Sequence, residues 1–332
     1  MTSSTESSAV LSVSDLRVRL HRRGAAIAAV NGISFELQRG ECLTVIGESG
    51  SGKSVMLRSL IGLLPANAEL SGRAIVDGLD LRQASPAQLR QLRGRSIAMI
   101  FQEPSTALDP VFTIGDQIME MLRRFDRLSG TAARRRAIEL LELVSIPSPE
   151  QRLRNYPHEM SGGMRQRAVI ALALACNPKI LLADEPTTAL DATVQMQLLL
   201  LLRKLRAELD MAVIFVTHDI GVAAEISDRV AVMYAGRFVE VGSAVDVLTA
   251  PAHPYTRGLM AATVHGNMRG KPLRGIEGSP PNLAALPAGC AFAARCGYAV
   301  DACRAERPEL QLVAPAHRSA CLPSAMLPPV QS

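Results

Sequence analysis

The sequence predicts an α/β fold in which parallel strands, buried on both faces, alternate with helices. Ile180-Leu181-Leu182-Ala183 and Val213-Ile214-Phe215-Val216 are continuous apolar runs, the pattern of strands covered on both sides. A helix-like stretch from Ala192 to Glu208 separates them, so right-handed β–α–β units are expected. Leu43-Thr44-Val45-Ile46 runs into Gly47-Glu48-Ser49-Gly50-Ser51-Gly52-Lys53-Ser54, and Ser54 to Leu64 then has helical spacing, with apolar residues at 57, 60, 61 and 64. That reads as strand, glycine loop and helix.

The bulk properties fit such a fold. A chain of 332 residues buries a full core and carries a second small module. Aromatic residues are 3% and tryptophan is absent, so the core is aliphatic. The net charge is +5, but the cations are scattered. The densest run, Arg134-Arg135-Arg136, reads as a solvated helix face rather than a nucleic-acid surface. Lysine stands only at positions 53, 179, 204 and 271, so arginine carries most of the positive charge. The start, Met1-Thr2-Ser3-Ser4-Thr5-Glu6-Ser7-Ser8, lacks the basic and apolar regions of a signal peptide. The greasiest stretch, Val169 to Ala183, is broken by Asn177-Pro178-Lys179 and is too short to span a bilayer. A soluble, cytoplasmic protein that reaches a membrane only through a partner is expected.

Along the chain, residues 1–9 read as disordered. Short strands are expected at Leu11-Ser12-Val13, Leu16 to Leu20, Ala28-Ala29-Val30 and Ile33 to Leu37. Ile114 to Phe125 and Thr131 to Val144 read as amphipathic helices joined at Arg127-Leu128-Ser129-Gly130, a helical insertion spanning about 103–165 in an α/β domain of 10–262. From 263 to 332 the composition changes. Gly266 to Pro287 is a glycine- and proline-rich linker, four of the six cysteines follow, and Leu327 to Ser332 is expected to fray.

The glycine loop carries the first chemistry. Gly47-x4-Gly52-Lys53-Ser54 lets successive backbone N–H groups converge on phosphate oxygens, and the next helix presents its positive end to the same anion. Lys53 is expected to neutralise the β- and γ-phosphates of a nucleotide, with the Ser54 hydroxyl on Mg²⁺; Val55 closes the motif. Chance gives this pattern in about 1% of chains this long. Asp184-Glu185 ends a buried apolar strand: Asp184 is expected to hold Mg²⁺ and Glu185 to orient or deprotonate the attacking water. The bland alternative is a solvated acidic pair at a strand end. Ser161-Gly162-Gly163-Met164-Arg165-Gln166 begins a helix. Two glycines and a serine there make an anion clamp, and the bland reading is an N-cap, which accounts for Ser161 but not for the second glycine. Gln102, at Ile100-Phe101-Gln102-Glu103-Pro104, is placed to touch Mg²⁺ or water at the edge of the insertion. His218 ends a second buried strand; a structural cap competes there with a γ-phosphate contact.

Taken together, residues 10 to 262 resemble an ABC-transporter ATPase subunit: a P-loop, a Q-loop at Gln102, a signature at Met160-Ser161-Gly162-Gly163-Met164, a Walker B pair at Asp184 and Glu185, a D-loop at Ala189-Leu190-Asp191, and a switch histidine at His218. Asp184-Glu185-Pro186-Thr187-Thr188-Ala189-Leu190-Asp191, His253-Pro254-Tyr255-Thr256 and Gly278-Ser279-Pro280-Pro281-Asn282-Leu283, followed by the cysteines, are similar to the oligopeptide/dipeptide permease ATPases, a family that also holds nickel and glutathione importers. The resemblance implies a P-loop NTPase of ABC type, with an antiparallel β-subdomain, a helical subdomain and a small C-terminal cysteine-containing extension. It implies ATP and Mg²⁺, the metal held by Ser54, Gln102 and Asp184. It also implies a head-to-tail dimer with a homologous ATPase subunit, different or identical. In that dimer Ser161, Gly162, Gly163, Met164 and Gln166 face ATP held by the partner's P-loop. Two membrane permeases and an extracytoplasmic binding protein complete the assembly at the cytoplasmic face of the plasma membrane, the insertion and Gln102 gripping the permeases. A non-transport ABC ATPase acting on nucleic acid is the competing class; the short insertion and the single ATPase domain argue against it. A nucleotide-binding iron–sulfur sensor is a third, opposed by the full set of Glu185, His218 and Gln102.

The chain departs from the family at the adenine side, where an aromatic ring is usual and Leu20 stands, with His21 as a substitute. Cys290-x5-Cys296-x6-Cys303-x17-Cys321 lacks close zinc-finger pairs, and disulfides are not expected in the cytoplasm. The similar tail of related peptide-permease ATPases implies a [4Fe-4S] cluster on four thiolates; reduced structural cysteines and zinc are the alternatives. His317 reads as a surface residue, and Cys42 and Cys176 as buried packing residues.

Overall fold

The computed structural model describes residues 9–22, 24–103, 107–188, 190–262 and 275–322. In chain order its elements are β1 (Ala9–Arg22), β2 (Ala25–Gln38), β3 (Cys42–Ile46), α1 (Lys53–Leu60), β4 (Ala68–Val76), β5 (Leu79–Asp80), α2 (Pro86–Arg95), β6 (Ile97–Ile100), α3 (Ile114–Asp126), α4 (Gly130–Leu143), α5 (Pro149–Arg152), α6 (Gly162–Leu174), β7 (Ile180–Asp184), α7 (Ala192–Leu209), β8 (Ala212–Thr217), α8 (Ile220–Ile226), β9 (Arg229–Tyr234), β10 (Arg237–Ser243), α9 (Ala244–Thr249), α10 (Pro254–Ala262), α11 (Asp301–Ala305), β11 (Gln311–Ala314) and β12 (His317–Ser319). Two compact units result. One takes residues 9–11, 36–41 and 75–215; the other takes 12–35, 42–74 and the described residues from 216 onward.

In the second unit, β3 lies parallel to β9, with Leu43 opposite Arg229 and Ile46 opposite Val232. β9 turns into antiparallel β10 through Ala235 and Gly236, both left-handed. β10 pairs with β12, and β12 with β11. The strand that feeds the glycine loop therefore shares a sheet with the last two described strands. The cysteine-bearing extension is built into that sheet rather than wrapped loosely on a surface. Tyr234, Tyr255 and Phe292 seal the join, with ring centroids 4.5 and 5.4 Å apart. Burying each such ring contributes roughly 1.5–3 kcal/mol.

The short strands expected before residue 38 merge into β1 and β2. The polar breaks Ser14-Asp15 and Asn31-Gly32 do not end a strand. Asp15 and Gly32 take left-handed backbone conformations, and Arg17 ties Asp15 to Asn31 through side-chain hydrogen bonds. A kink that keeps its polar partners stays in the sheet. Ala9, expected to be disordered, begins β1; residues 1–8 lie outside the described set.

In the first unit, β6 runs parallel to β7, and β8 is the other neighbour of β7. β7 and β8 are buried at every residue, as the apolar runs before their polar last residues, Asp184 and Thr217, require. The helical insertion is present as α3 and α4. Thr113 caps α3 by accepting the Asp116 N–H, and Arg127 ends it in a left-handed conformation. Leu122, Ala137, Leu140, Leu141 and Val144 form its buried face. α1 stops at Leu60, before the expected Leu64, and Gly62 beyond it takes a left-handed φ. No described helix is long and apolar enough to cross a membrane.

Candidate nucleotide-phosphate site

Ile46 ends β3, and the chain turns at once into the glycine loop. Glycine is required at two of its positions by close approach. A Cβ on Gly47 would lie 2.2 Å from the Met233 carbonyl oxygen, and one on Gly52 would lie 2.2 Å from that of Ala29. The Lys53 ammonium, 5% exposed, reaches back into the loop. It donates to the carbonyls of Gly47 at 2.7 Å and Glu48 at 2.9 Å, which places a buried positive charge inside the turn. Gly52 caps α1 without a side-chain hydrogen bond, so no side chain of the cap residue covers the helix's first N–H groups.

Two residues that sequence reasoning did not find hold this loop. The Glu48 N–H donates to the Tyr255 hydroxyl at 2.8 Å. Arg295 donates two parallel hydrogen bonds to the Glu48 carboxylate, at 2.8 and 3.0 Å. Tyr255 belongs to the His253-Pro254-Tyr255-Thr256 run already singled out, but Arg295 gave no local signal. His253 beside it is 1% exposed and accepts the Tyr255 N–H on Nδ1 at 3.1 Å. Burial pushes its pKa down to about 4, against the opposing pull of Glu240. In the unfolded chain a histidine titrates near 6.5. Protons therefore bind the unfolded state first, and the stability that neutral His253 confers is full above pH 6.5 and is lost as pH falls toward 4. The melting temperature should fall over that interval in the wild type and fall less steeply in His253→Gln; parallel profiles would refute the assignment.

In the first unit, Asp184 ends β7 at 3% exposure. Glu185 follows with φ 47°, an uncommon conformation for a residue with a side chain. Its Oε2 accepts from the Thr188 hydroxyl at 3.0 Å and from Gln102 Nε2 at 3.4 Å. The structure thus brings Gln102 to Glu185, as far apart in sequence as these residues are. Ser161 caps α6 by accepting the Met164 N–H at 3.3 Å, which confirms the capping role. The second glycine also has a packing reason. A Cβ on Gly163 would lie 2.7 Å from Val194 Cγ1 of α7, whereas one on Gly162 would meet nothing within 4 Å. Gln166 is buried. Asp191 caps α7 through the Thr193 and Val194 N–H groups, at 3.1 and 3.0 Å; Ala189 of the expected D-loop lies outside the described residues.

At the end of β8, His218 is exposed and Asp219 caps α8. Leu20 is half-buried on β1, and His21 pairs with Glu69 at 3.5 Å. Cys42 and Cys176 are buried as expected, and burial raises the Cys176 thiol to about 11. His317, expected at the surface, is 4% exposed and meets Glu240 at 2.7 Å. The surface reading fails because β12 pairs edge to edge with β10, which brings the imidazole to the buried Glu240 carboxylate.

Cys290, Cys296, Cys303 and Cys321 line one apolar cavity. Its volume is about 10 Å³, room for at most one water. Burial raises the thiols of Cys290, Cys296 and Cys321, which favours the protonated form over the thiolate that metals bind. Among the described residues no group of three or more His, Cys, Asp or Glu side chains is arranged to hold a metal ion. The iron–sulfur expectation is not supported by these four thiols as they stand. The first part of the linker, residues 263–274, lies outside the described residues.

Comparison with known proteins agrees with this geometry. Residues 30–188 match the ABC transporter family model, and residues 239–303 match that of the oligopeptide/dipeptide transporter C-terminal region. The chain is 46% identical over 314 residues to the dipeptide transport ATP-binding protein DppD of Bacillus subtilis, covering 94% of each chain. It is 44% identical over 316 residues to the oligopeptide transport ATP-binding protein OppD of Escherichia coli, covering 95% of this chain and 94% of that one. Among solved structures, a dimeric ATP-binding cassette in a post-hydrolysis state with ADP and phosphate superposes with a TM-score of 0.64 at 30% identity, over 70% of this chain and 98% of that one.

Proposed function

The chain belongs to the ATP-binding subunits of ABC transporters of the oligopeptide/dipeptide class, and we propose that it powers the import of di- or oligopeptides. As a member it binds ATP and is an ATPase coupled to transport. The observation that carries the mechanistic reading is the glycine loop, pinned by close backbone contacts at Gly47 and Gly52 with the Lys53 charge turned inward. Such a loop cradles polyphosphate. Gly47 to Val55 hold the phosphates, Lys53 neutralises the terminal pair, and Ser54, Gln102 and Asp184 are the metal-side ligands for Mg²⁺. Glu185 prepares the water, and His218 reads the γ-phosphate.

The serine-capped start of α6 is the spare half of a phosphate site. Its open side at Gly162 supports a head-to-tail dimer in which Ser161, Gly162, Gly163, Met164 and Gln166 meet ATP on a homologous subunit, with Asp191 in the D-loop. In this reading residues 10–262 are the ATPase domain, with the insertion at about 103–165 as its permease-facing part and residues 263–332 as the extension. Two permeases, a peptide-binding protein outside the membrane and a peripheral place at its cytoplasmic face complete the assembly. Reconstitution of the chain with its permeases in proteoliposomes tests the substrate: ATP hydrolysis should rise when peptide-loaded binding protein is added. Stimulation by nickel or glutathione alone would move the protein to the other branch of the family.

Two finer points have their own measurements. Leu20→Tyr should tighten ATP binding by roughly 0.5–1.5 kcal/mol by giving adenine a ring to stack on; an unchanged dissociation constant removes Leu20 from the adenine side. A [4Fe-4S] cluster rests on the convergence of four sulfurs on one cavity, and it requires them to deprotonate and move apart. Iron and sulfide analysis after anaerobic purification decides this, and a colourless, iron-free protein ends that reading.

A further inference from the structure

We propose that Arg295, from the C-terminal extension, is a positioning residue for the nucleotide loop: it neutralises the Glu48 carboxylate and turns it aside, so that the loop offers triphosphate a net positive cradle. This rests on the reading of Gly47 to Ser54 as the ATP-binding loop.

A carboxylate in a phosphate-binding turn works against the turn, because like charges repel. Glu48 is that carboxylate, and its partner comes from 247 positions away in the sequence. The pairing is bidentate, with Nη1 on Oε2 at 2.8 Å and Nη2 on Oε1 at 3.0 Å, the strongest form an arginine makes. Arg295 is itself tightly held. Its Nε donates to the Glu277 carbonyl at 2.9 Å, Nη2 to the Ile276 carbonyl at 3.3 Å, and Nη1 to the Tyr234 hydroxyl at 3.3 Å. Its side chain is 4% exposed, against 27% for Glu48, and its guanidinium lies 5.8 Å from the Phe292 ring centre. The hydrogen bonds to Glu48 hold its charge well above the ordinary arginine range. A surface ion pair has none of this support and contributes little. Tyr255 complements it by fixing the Glu48 backbone N–H, so α10 holds the main chain and the extension holds the side chain of one loop residue.

The placement of Arg295 matters as well. It closes the short helical turn Ala293–Arg295 and is followed at once by Cys296. A change in the packing of the four thiols is therefore one residue from the guanidinium that faces the loop.

The test is a charge-rescue series on the full 332-residue chain, read by the dissociation constant of a fluorescent ATP analogue and by KM and kcat for ATP. Arg295→Gln should weaken nucleotide binding about tenfold and raise KM more than it lowers kcat. Glu48→Gln/Arg295→Gln should recover most of that loss, because no carboxylate is left to repel phosphate; Arg295→Lys should fall between wild type and Arg295→Gln. A purely structural brace predicts the opposite for the double variant, which would bind as poorly as Arg295→Gln. Unchanged affinity in Arg295→Gln, or no recovery in the double variant, overturns the proposal. If Arg295→Gln fails to fold, the comparison of Arg295→Lys with Glu48→Gln/Arg295→Lys makes the same decision. Absence of analogue binding by the wild type, equal to that of Lys53→Ala, would instead overturn the reading of the loop itself.

Discussion

Glu185→Gln should lower steady-state ATP hydrolysis by at least about 100-fold while leaving ATP binding in place. A positioned general base contributes about 10²–10⁴-fold to a rate, and the amide removes the proton acceptor without changing the side chain's size. The local geometry favours a clean result. Glu185 is held in a left-handed backbone conformation, a cost that persists only where surrounding contacts enforce it. Thr188 donates to its Oε2 at 3.0 Å, and a glutamine oxygen can accept that bond as well. The Gln102 contact is longer, at 3.4 Å, and stands to lose less. The substitution should therefore separate chemistry from structure: phosphate release drops, the analogue's dissociation constant does not rise, and ATP holds the chain in a dimer visible by size-exclusion chromatography. Normal turnover by the variant would remove Glu185 from the catalytic role. Loss of binding would point to a metal-side role in its place.

The parts of this site written in consecutive residues were legible in the sequence. Gly47 to Ser54 declares itself because its geometry depends on glycines at fixed offsets and on one lysine. Asp184 and Glu185 declare themselves because a wholly apolar strand ends on two carboxylates. Contacts made by the folded chain were not legible. Arg295 is one arginine in an arginine-rich sequence, and nothing local distinguishes it from the solvated ones. Only packing of the extension's Phe292 on Tyr234 and Tyr255 brings it to Glu48. Gly163 was ambiguous for a related reason: the space it leaves is filled by Val194 of another helix. His317 was misjudged because a histidine in a polar tail reads as exposed until its strand is known to pair with β10. The merging of β1 and β2 past Asp15 and Gly32 has the same origin, since residues that usually break a strand are held here by partners more than a dozen positions away.

Glu240→Ala should be strongly destabilising, costing about 3–5 kcal/mol, because it strips several buried donors of their shared acceptor at once. Glu240 lies in β10 at 0% exposure. Its Oε1 accepts the Ala252 N–H at 2.6 Å and meets His317 Nε2 at 2.7 Å, and its Oε2 accepts the His253 N–H at 2.9 Å. Alanine leaves those three groups buried with no acceptor, and each such group costs about 1–3 kcal/mol. Exposed pairs such as Arg304 with Asp301, at 3.2 Å, belong to the class worth about 0–1 kcal/mol, so their removal serves as the control. The effect should reach the glycine loop. Glu240 joins three separate pieces of the second unit: the strand β10, the turn leading to Tyr255, and β12 of the extension. Tyr255 in turn holds the Glu48 N–H. Calorimetry or urea titration should show the loss in Glu240→Ala, and ATP should restore part of it, because a ligand that binds only the folded state stabilises it by mass action. His317→Ala should give a smaller loss, since it leaves both backbone donors paired. In a double-mutant cycle the two losses should be strongly non-additive, as expected for groups in one network. A loss below about 1 kcal/mol in Glu240→Ala would mean that water reaches the freed donors, and that the extension is not fastened to the nucleotide-binding unit at this point.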